Sequence, residues 1–218
     1  TARKRYRIVG VFMGRGIVNE KRIELRKWSC KREILTLAKL AEEGKHTYWK
    51  FSQSEKGRSA EEHYIEYVEG EITIAKDRDK LLSFVNELNI VKCYMYGDFL
   101  TKFVFDNENE KFKEIGECQV RYVGGLGEYE SKKLLTEKNY SLGEIETIKK
   151  IIQFCNSRRD LNYVFYGVYG GNLEACLRKY EFEETAELMK YLKEIYIKNK
   201  TLIFSECKNY LLEIINDF

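Results

Sequence analysis

The chain has 218 residues, of which 44% are hydrophobic and 33% are charged, with a net charge of +3 at pH 7. This length suits one large domain or two small ones, each able to bury a core. No run approaches the roughly 18 apolar residues of a membrane span, and the first residues lack the apolar core of a signal peptide. We therefore expect a cytoplasmic protein that contacts no membrane.

The positive charge is concentrated in the first 33 residues. They include eleven basic and three acidic residues, a net charge of +8, which leaves −5 for the remaining 185. Tyr6, Phe12 and Trp28 are interleaved with the basic residues. Because Lys and Arg displace counterions from phosphates and aromatic faces stack on bases, the segment predicts nucleic-acid binding. The residues predicted to bind are Arg3, Lys4, Arg5, Arg7, Arg15, Lys21, Arg22, Arg26, Lys27, Trp28, Lys31 and Arg32.

The first half of the chain predicts a β-hairpin, a helix and further strands. Two β-runs joined near Gly14 predict a basic hairpin, and Ser29 is placed to cap a helix over 30–43 that ends at Gly44. A strand over 46–53 and a polar loop over 54–62 follow. A second hairpin is predicted around Glu69 and Gly70, followed by a short helix over 78–88.

The stretch 118–135, CQVRYVGGLGEYESKKLL, has the pattern of a strand, a glycine turn and a helix starting near Glu128. Glycines permit positive φ and let a ligand approach backbone N–H groups, and a helix dipole would favour an anion there. The candidate anion-binding residues are Gly124, Gly125, Gly127, Ser131 and Lys132, with Lys133 beside them. The spacing matches neither a P-loop nor a dinucleotide-binding loop, and two glutamates follow the turn. A purely structural tight turn is the alternative.

Cysteines and histidines give no metal-binding pattern. The six cysteines form no C-x-x-C pair and lie mostly in apolar segments, so we expect reduced core residues. The only histidines, His46 and His63, do not have the close spacing of zinc ligands. We predict neither a metal nor a cofactor.

An acidic stretch has part of the spacing of a calcium loop. Asp106, Glu108, Glu110 and Glu117 fall at positions 1, 3, 5 and 12, but position 6 is Lys111, where an EF-hand requires glycine. Strands rather than helices are expected on both sides. We interpret the stretch as the acidic tip of a hairpin.

From Ser141 onwards the chain predicts mainly helices. Ser141 and Glu144 have capping-box spacing, and a strand over 163–169 precedes a glycine pair and helices over 172–198 and 202–217. A break is predicted near Thr185. The last helix carries a narrow apolar seam that packs on the sheet or, alternatively, forms a homodimer. The seam residues are Phe204, Cys207, Leu211, Ile214 and Phe218.

The sequence predicts an α+β fold, with a basic N-terminal hairpin, helix and strand unit followed by a mixed sheet and packed C-terminal helices. The domain prediction is 1–88 and 89–218, or one continuous domain. No G-x-S-x-G or H-E-x-x-H motif is present, and a nucleophile would depend on His46 or His63 for a base. No catalytic residue is assigned, and a non-catalytic protein is favoured.

Three binding functions follow from these patterns. Nucleic-acid binding through the basic N-terminal surface is favoured. The alternative is an interaction or inhibitor protein of a phage or mobile element, for example an anti-defence protein that docks on a host protein complex, because Tyr, Trp and Arg anchor interfaces. A proline-free composition rich in Lys, Asn and Ile is typical of AT-rich coding genomes, which suits that source. The third function is nucleotide or anion binding at the GGLG junction.

Overall fold

The computed structural model describes residues 34–52, 65–76, 81–93, 97–123, 127–155, 158–166 and 185–199, with single residues at 173, 179, 209, 212 and 216. The predicted N-terminal hairpin and the loop over 54–62 lie outside these residues. All five residues of the C-terminal seam also lie outside them, so the homodimer stays a prediction.

Seven strands and six helices are described in this part of the chain. In order they are α1 (Leu37–Glu43), β1 (Tyr48–Ser52), β2 (Ile72–Ile74), β3 (Leu82–Asn86), α2 (Glu87–Ile90), β4 (Phe99–Phe103), α3 (Glu110–Lys113), β5 (Val120–Val123), β6 (Glu128–Ser131), β7 (Lys133–Ser141), α4 (Ile145–Gln153), α5 (Arg158–Tyr166) and α6 (Thr185–Lys198). None of the helices in the described residues is long and apolar enough to cross a lipid bilayer.

The strands form one sheet in the order β2-β7-β4-β1-β3-β6-β5. Every pairing is antiparallel, so the predicted α+β class is confirmed, while the sheet is antiparallel rather than mixed. Strand β1 is central: Trp49 lies opposite Val85 of β3 and opposite Lys102 of β4. The sheet combines strands from before and after residue 88. The division into 1–88 and 89–218 stays a prediction, since residues 1–33 are not described.

Two apolar cores lie on opposite faces of the sheet. Successive strand residues point to opposite faces, and Tyr48 and Trp49 of β1 belong to different cores. On the Tyr48 face, Phe84 and Phe103 pack with Leu37 of α1 and with α3. On the Trp49 face, the sheet packs against buried residues of α4, α5 and α6. The helices therefore cover both faces, and each face can hold a distinct set of polar groups.

Helix α1 ends where the sequence predicts but begins later. Gly44 adopts the left-handed conformation at φ 57° and closes the helix. The predicted start at residue 30 is wrong, because Thr36 is extended and bridges to Gln119 before the first turn. The Thr36 side chain accepts a hydrogen bond from the Lys39 amide at 3.2 Å and caps the helix.

Two predictions in the region 65–88 are wrong. The helix expected over 78–88 is wrong, because Leu82–Asn86 form strand β3, which pairs with β1 and β6. A short run with apolar residues at 82, 84 and 85 does not distinguish a helix from a buried strand. The turn at Gly70 is present, with φ 73°, but no strand forms over 65–68. Strand β2 pairs with β7 instead of forming a hairpin across the turn.

The C-terminal predictions are partly confirmed. Residues 163–166, expected to start a strand, belong to α5. The capping box is wrong, since Ser141 ends β7, its hydroxyl accepts from the Gly143 amide, and Glu144 makes no side-chain cap. The apolar face of α4 is confirmed, because Ile145 and Ile148 are buried. Helix α6 is described from Thr185, and the break expected near that residue stays a prediction because residues 180–184 lie outside the described residues.

Candidate nucleic-acid interface

None of the predicted nucleic-acid-binding residues, Arg3 to Arg32, lies among the described residues. Of the candidate anion-binding set, Gly124 and Gly125 also lie outside them, and Gly127, Ser131, Lys132 and Lys133 are described. The structure therefore leaves the basic N-terminal segment as a prediction and shows part of the GGLG junction.

The GGLG junction connects two strands. Strand β5 pairs with β6 in antiparallel register, with Val123 opposite Glu128, so the helix expected from Glu128 is wrong. In β6, Tyr129 alternates with Glu128 and Glu130, which fits a strand with one face on the sheet core. Ser131 is fully buried, with its hydroxyl 3.3 Å from the Cys118 sulfur, while Lys132 is exposed. Anion binding at this junction stays a prediction. Because Glu128 begins a strand, no helix dipole at this position supports it.

Three lysines from different elements meet on the Trp49 face of the sheet. Lys102 of β4 and Lys138 of β7 lie directly opposite each other in register, and Lys150 of α4 reaches the same aromatic ring as Lys138. Like charges directly opposite on neighbouring strands destabilise a sheet. We call the group of Lys102, Lys138, Lys150 and Tyr140 the lysine patch.

A β-bulge adds a carboxylate to this surface. Lys102 pairs with Lys138 but Phe103 pairs with Thr136, so Glu137 is the extra residue between them. A bulge can redirect a side chain that strict alternation would send to the other face. The Glu137 carboxylate lies 2.7 Å from the Lys102 ammonium group. The patch with this carboxylate has a net charge of +2.

Aromatic rings form the base of the lysine patch. Lys138 and Lys150 lie 5.2 and 4.9 Å from the centroid of the Tyr140 ring, and Lys102 lies 6.0 Å from that of Trp49. The two rings are themselves 5.8 Å apart, and Trp49 also contacts Phe154 at 5.0 Å. Cation–π attraction holds the lysines near the surface without neutralising their charge.

Two of the three lysines keep their charge available for a ligand. Of the carboxylates that the structure describes, only Glu137 forms an ion pair within the patch, and it does so with Lys102. Lys138 is exposed and Lys150 is half-buried. Neighbouring Lys149, by contrast, is paired with both Glu146 and Glu187 at 2.7 Å. An anion would therefore meet two ammonium groups beside Tyr140 that no carboxylate of the described residues pairs with.

Sequence reasoning missed this patch because its lysines lie 36 and 12 positions apart along the chain. They meet through the β4–β7 pairing and the packing of α4, neither of which a local motif encodes. The available signal was alternation: Lys138 and Tyr140 share one face of a strand, as do Lys102 and Leu100. The strand pairing itself was needed to bring the two faces together.

A histidine–glutamate pair fixes the start of β1. His46 Nδ1 lies 2.9 Å from a Glu87 carboxylate oxygen, and the Thr47 amide donates to the other oxygen at 2.8 Å. The Thr47 hydroxyl in turn accepts from the Trp49 indole at 2.7 Å. Partial burial alone would raise the pKa of Glu87, but hydrogen bonds from His46 and from backbone amides outweigh it, so its pKa is lowered from the usual value of a glutamate.

We expect Glu87→Gln to reduce the loss of stability in acid. A lowered folded-state pKa means that ionised Glu87 contributes stability above its unfolded pKa, and this contribution is lost as pH falls through the folded value. The wild type should therefore lose more stability than the variant between about pH 5 and pH 3. Urea unfolding across this range measures the difference. Parallel pH curves for the two proteins would contradict the expectation.

Cys93 and Cys155, two of the three described cysteines, are poor nucleophiles. Burial, with a smaller contribution from Glu128, raises the pKa of Cys93 to about 11, and burial with Asp160 nearby raises that of Cys155 to about 12. The reactive form of a cysteine is the thiolate, so both thiols are largely inert at neutral pH. A cysteine nucleophile at either position is therefore disfavoured.

We expect Cys93 and Cys155 to react with iodoacetamide at pH 8 at least about ten times more slowly in the folded protein than in urea. The reason is the small thiolate fraction together with limited access to the half-buried sulfurs. Quantitative peptide mapping after timed labelling measures both rates in one sample. Equal rates in the folded and unfolded states would show that the thiols are exposed and ionised.

The acidic stretch after residue 105 is structural. It is a loop leading into the one-turn helix α3, so the predicted hairpin tip is wrong. Asp106 accepts from the Glu108 amide at 2.9 Å, and Asn109 caps the helix by accepting from Phe112 at 3.0 Å. Within the described residues, no group of three or more His, Cys, Asp or Glu side chains is arranged to hold a metal ion.

The lysine patch brings three ammonium groups together with one ion-paired carboxylate. His46, the one histidine among the described residues, is paired with Glu87, and His63 lies outside the described residues. Comparison with models of protein families, with curated proteins and with solved structures finds no match to this chain.

Proposed function

We propose that the protein binds nucleic acid without catalysing a reaction. The observation that carries the proposal is the convergence of Lys102, Lys138 and Lys150 around Trp49 and Tyr140 on one face of the sheet. A phosphodiester backbone supplies closely spaced negative charges, which offset the repulsion between the opposed lysines. The basic segment from Arg3 to Arg32 would add further phosphate contacts.

Backbone contacts rather than base reading fit this surface. Lysine is a compact point charge and carries little geometric information about a base edge, unlike the planar guanidinium of arginine. Trp49 is only 3% exposed and cannot stack on a base, whereas Tyr140 is half-buried and presents part of its ring. We therefore propose binding with weak sequence preference.

The test is a fluorescence-anisotropy titration of labelled single-stranded and duplex DNA and RNA at two salt concentrations. Each phosphate that the protein neutralises contributes about 0.9 to the logarithmic salt slope for duplex DNA and about 0.7 for single strands. Binding with a steep negative slope supports the proposal, and comparison of the four ligands identifies the preferred strand type. Absence of binding to all four at low salt overturns it.

A protein partner is the second candidate. It is supported by the outermost strands among those described in the sheet: Ile74 of β2 is 54% exposed, and Tyr122 of β5 is 58% exposed. Exposed large apolar side chains on an edge strand suit strand addition by a partner. If the oligonucleotide titrations fail, docking on a host protein complex becomes the favoured function, as it would for an inhibitor from a mobile element.

Nucleotide or anion binding at the GGLG junction is the third candidate. Exposed Lys132 supports it, while the strand at Glu128 and the proximity of Asn89 to Gly127 leave less room than the predicted site would need. Titration with a fluorescent nucleotide tests it separately from oligonucleotide binding.

A further inference from the structure

The carboxylate of Glu137 lies where a ligand phosphate would meet Lys102. The two side chains come from neighbouring strands, and their charged atoms are 2.7 Å apart. Lys102 has 24% of its side chain exposed and Glu137 has 42%, so the pair lies at the surface. Lys138 and Lys150, the other cations of the patch, have no carboxylate partner among the described residues.

We propose that Glu137 regulates the lysine patch as a built-in competitor for the nucleic-acid backbone. This inference rests on the proposed function. A phosphate oxygen and a carboxylate oxygen both accept charge-assisted hydrogen bonds from an ammonium group. Glu137 therefore occupies Lys102 in the free protein, and a phosphate must displace it before Lys102 can bind. Lys138 and Lys150 contact the phosphates first. Lys102 contacts a phosphate only after its ion pair with Glu137 breaks.

The bulge in β7 determines that residue 137 is the one that pairs with Lys102. Without the extra residue, alternation along β7 would place residue 137 on the opposite face from Lys138. The register shift at Lys102 and Phe103 brings the Glu137 carboxylate onto the lysine-bearing face instead. Bulges recur where a side chain is redirected toward a functional surface. A carboxylate within a cationic surface weakens polyanion binding but also reduces repulsion between Lys102 and Lys138 in the unbound protein.

The experiment compares Glu137→Gln with Glu108→Gln. Both substitutions remove one carboxylate from an ion pair, and both leave side-chain length unchanged. Glu108 pairs with Lys113 at 3.8 Å and is 92% exposed, beside α3, whose Phe112 packs in the core of the opposite face. Any general effect of net charge on binding is therefore shared by the two variants. The probe is a labelled 20-residue oligothymidylate in an anisotropy titration over a series of salt concentrations.

We expect Glu137→Gln to tighten binding about two- to five-fold, which corresponds to the strength of an exposed ion pair. The salt slope should steepen by about 0.7, as expected for one more phosphate contact to a single strand. Glu108→Gln should match the wild type. Unfolding in urea without the oligonucleotide should show Glu137→Gln to be no more stable than the wild type, because the repulsion between the lysines is then unopposed.

Each outcome decides between the two proposals. If the wild type binds and Glu137→Gln binds equally or more weakly, the competitor inference is wrong and nucleic-acid binding stands. Equal tightening by Glu137→Gln and Glu108→Gln shows an effect of net charge alone and also overturns it. If neither the wild type nor Glu137→Gln binds at low salt, the proposed function and the inference both fail.

Discussion

Replacing both Lys138 and Lys150 by Glu is expected to weaken oligonucleotide binding by about two orders of magnitude at low salt. Each substitution removes one ammonium group that would pair with a phosphate and places a negative charge on the surface that the backbone must approach. The two lysines lie 5.2 and 4.9 Å from the same ring, so they act on one segment of the ligand. The salt slope for a single strand should become shallower by about 0.7 for each lysine replaced. Anisotropy titration measures both quantities.

The matched control for this reversal is Lys113→Glu. Lys113 is 54% exposed and belongs to α3, on the other side of the sheet from the lysine patch. It should leave affinity within about two-fold of the wild type, since exposed charges beyond a Debye length are largely screened. Circular dichroism and thermal unfolding confirm that the double variant is folded. This check is needed because Lys150 extends from α4, whose apolar face is part of the core.

A charge-reversal variant of the N-terminal segment shows how much of the binding free energy comes from that segment and how much comes from the lysine patch. Reversing Arg3, Lys4, Arg5 and Arg7 to Glu tests the segment that sequence composition identifies. If that variant loses all binding while the patch variant retains it, the lysine patch has no part in recognition. If the patch variant loses all binding while the N-terminal variant retains it, the lysine patch is the binding surface. Loss in both variants indicates that binding requires both sets of basic residues.

Local signals in the sequence were sufficient for elements whose ends are set by backbone geometry. Gly44 ends α1 because a left-handed residue terminates a helix, and the strand containing Trp49 follows from alternation of large apolar residues. Errors occurred where one pattern fits two structures. Three of the five residues at 82–86 are apolar, a run that fits a helix as well as a strand, and pairing with β1 and β6 makes it a strand.

The candidate site depended on information that no local window contains. Glycines at the GGLG junction correctly indicated a turn, but whether a strand or a helix follows is decided by pairing between β5 and β6. The lysine patch requires the β4–β7 register, including the bulge that turns Glu137 toward Lys102. A shift of one residue in that register would place Lys138 on the other face. Composition therefore predicted a cationic surface only in the N-terminal segment, where basic residues are concentrated.

Gly127→Ala is expected to destabilise the fold by about 2–4 kcal/mol, the largest effect on stability that we predict. Gly127 has φ 71°, a conformation that costs an L-residue about 1 kcal/mol or more. A Cβ there would also overlap the Asn89 side chain, whose Cγ would lie only 3.1 Å away. Asn89 donates to Asn86 and accepts from Lys92, both at 2.9 Å, so moving it sacrifices two hydrogen bonds. Each is worth about 1 kcal/mol.

Gly70→Ala separates the two causes. Gly70 has nearly the same backbone conformation, φ 73°, but no atom lies within 4 Å of the position that a Cβ would occupy. It should therefore cost only the conformational part, about 1 kcal/mol. In urea unfolding, the excess cost of Gly127→Ala over Gly70→Ala measures the contact with Asn89. Asn89→Ala in the Gly127→Ala background should recover part of that excess, because the obstructing amide is gone while the backbone strain remains. Equal costs for the two glycine substitutions would show that Asn89 moves aside freely, and that its hydrogen bonds do not hold the β5–β6 turn against α2.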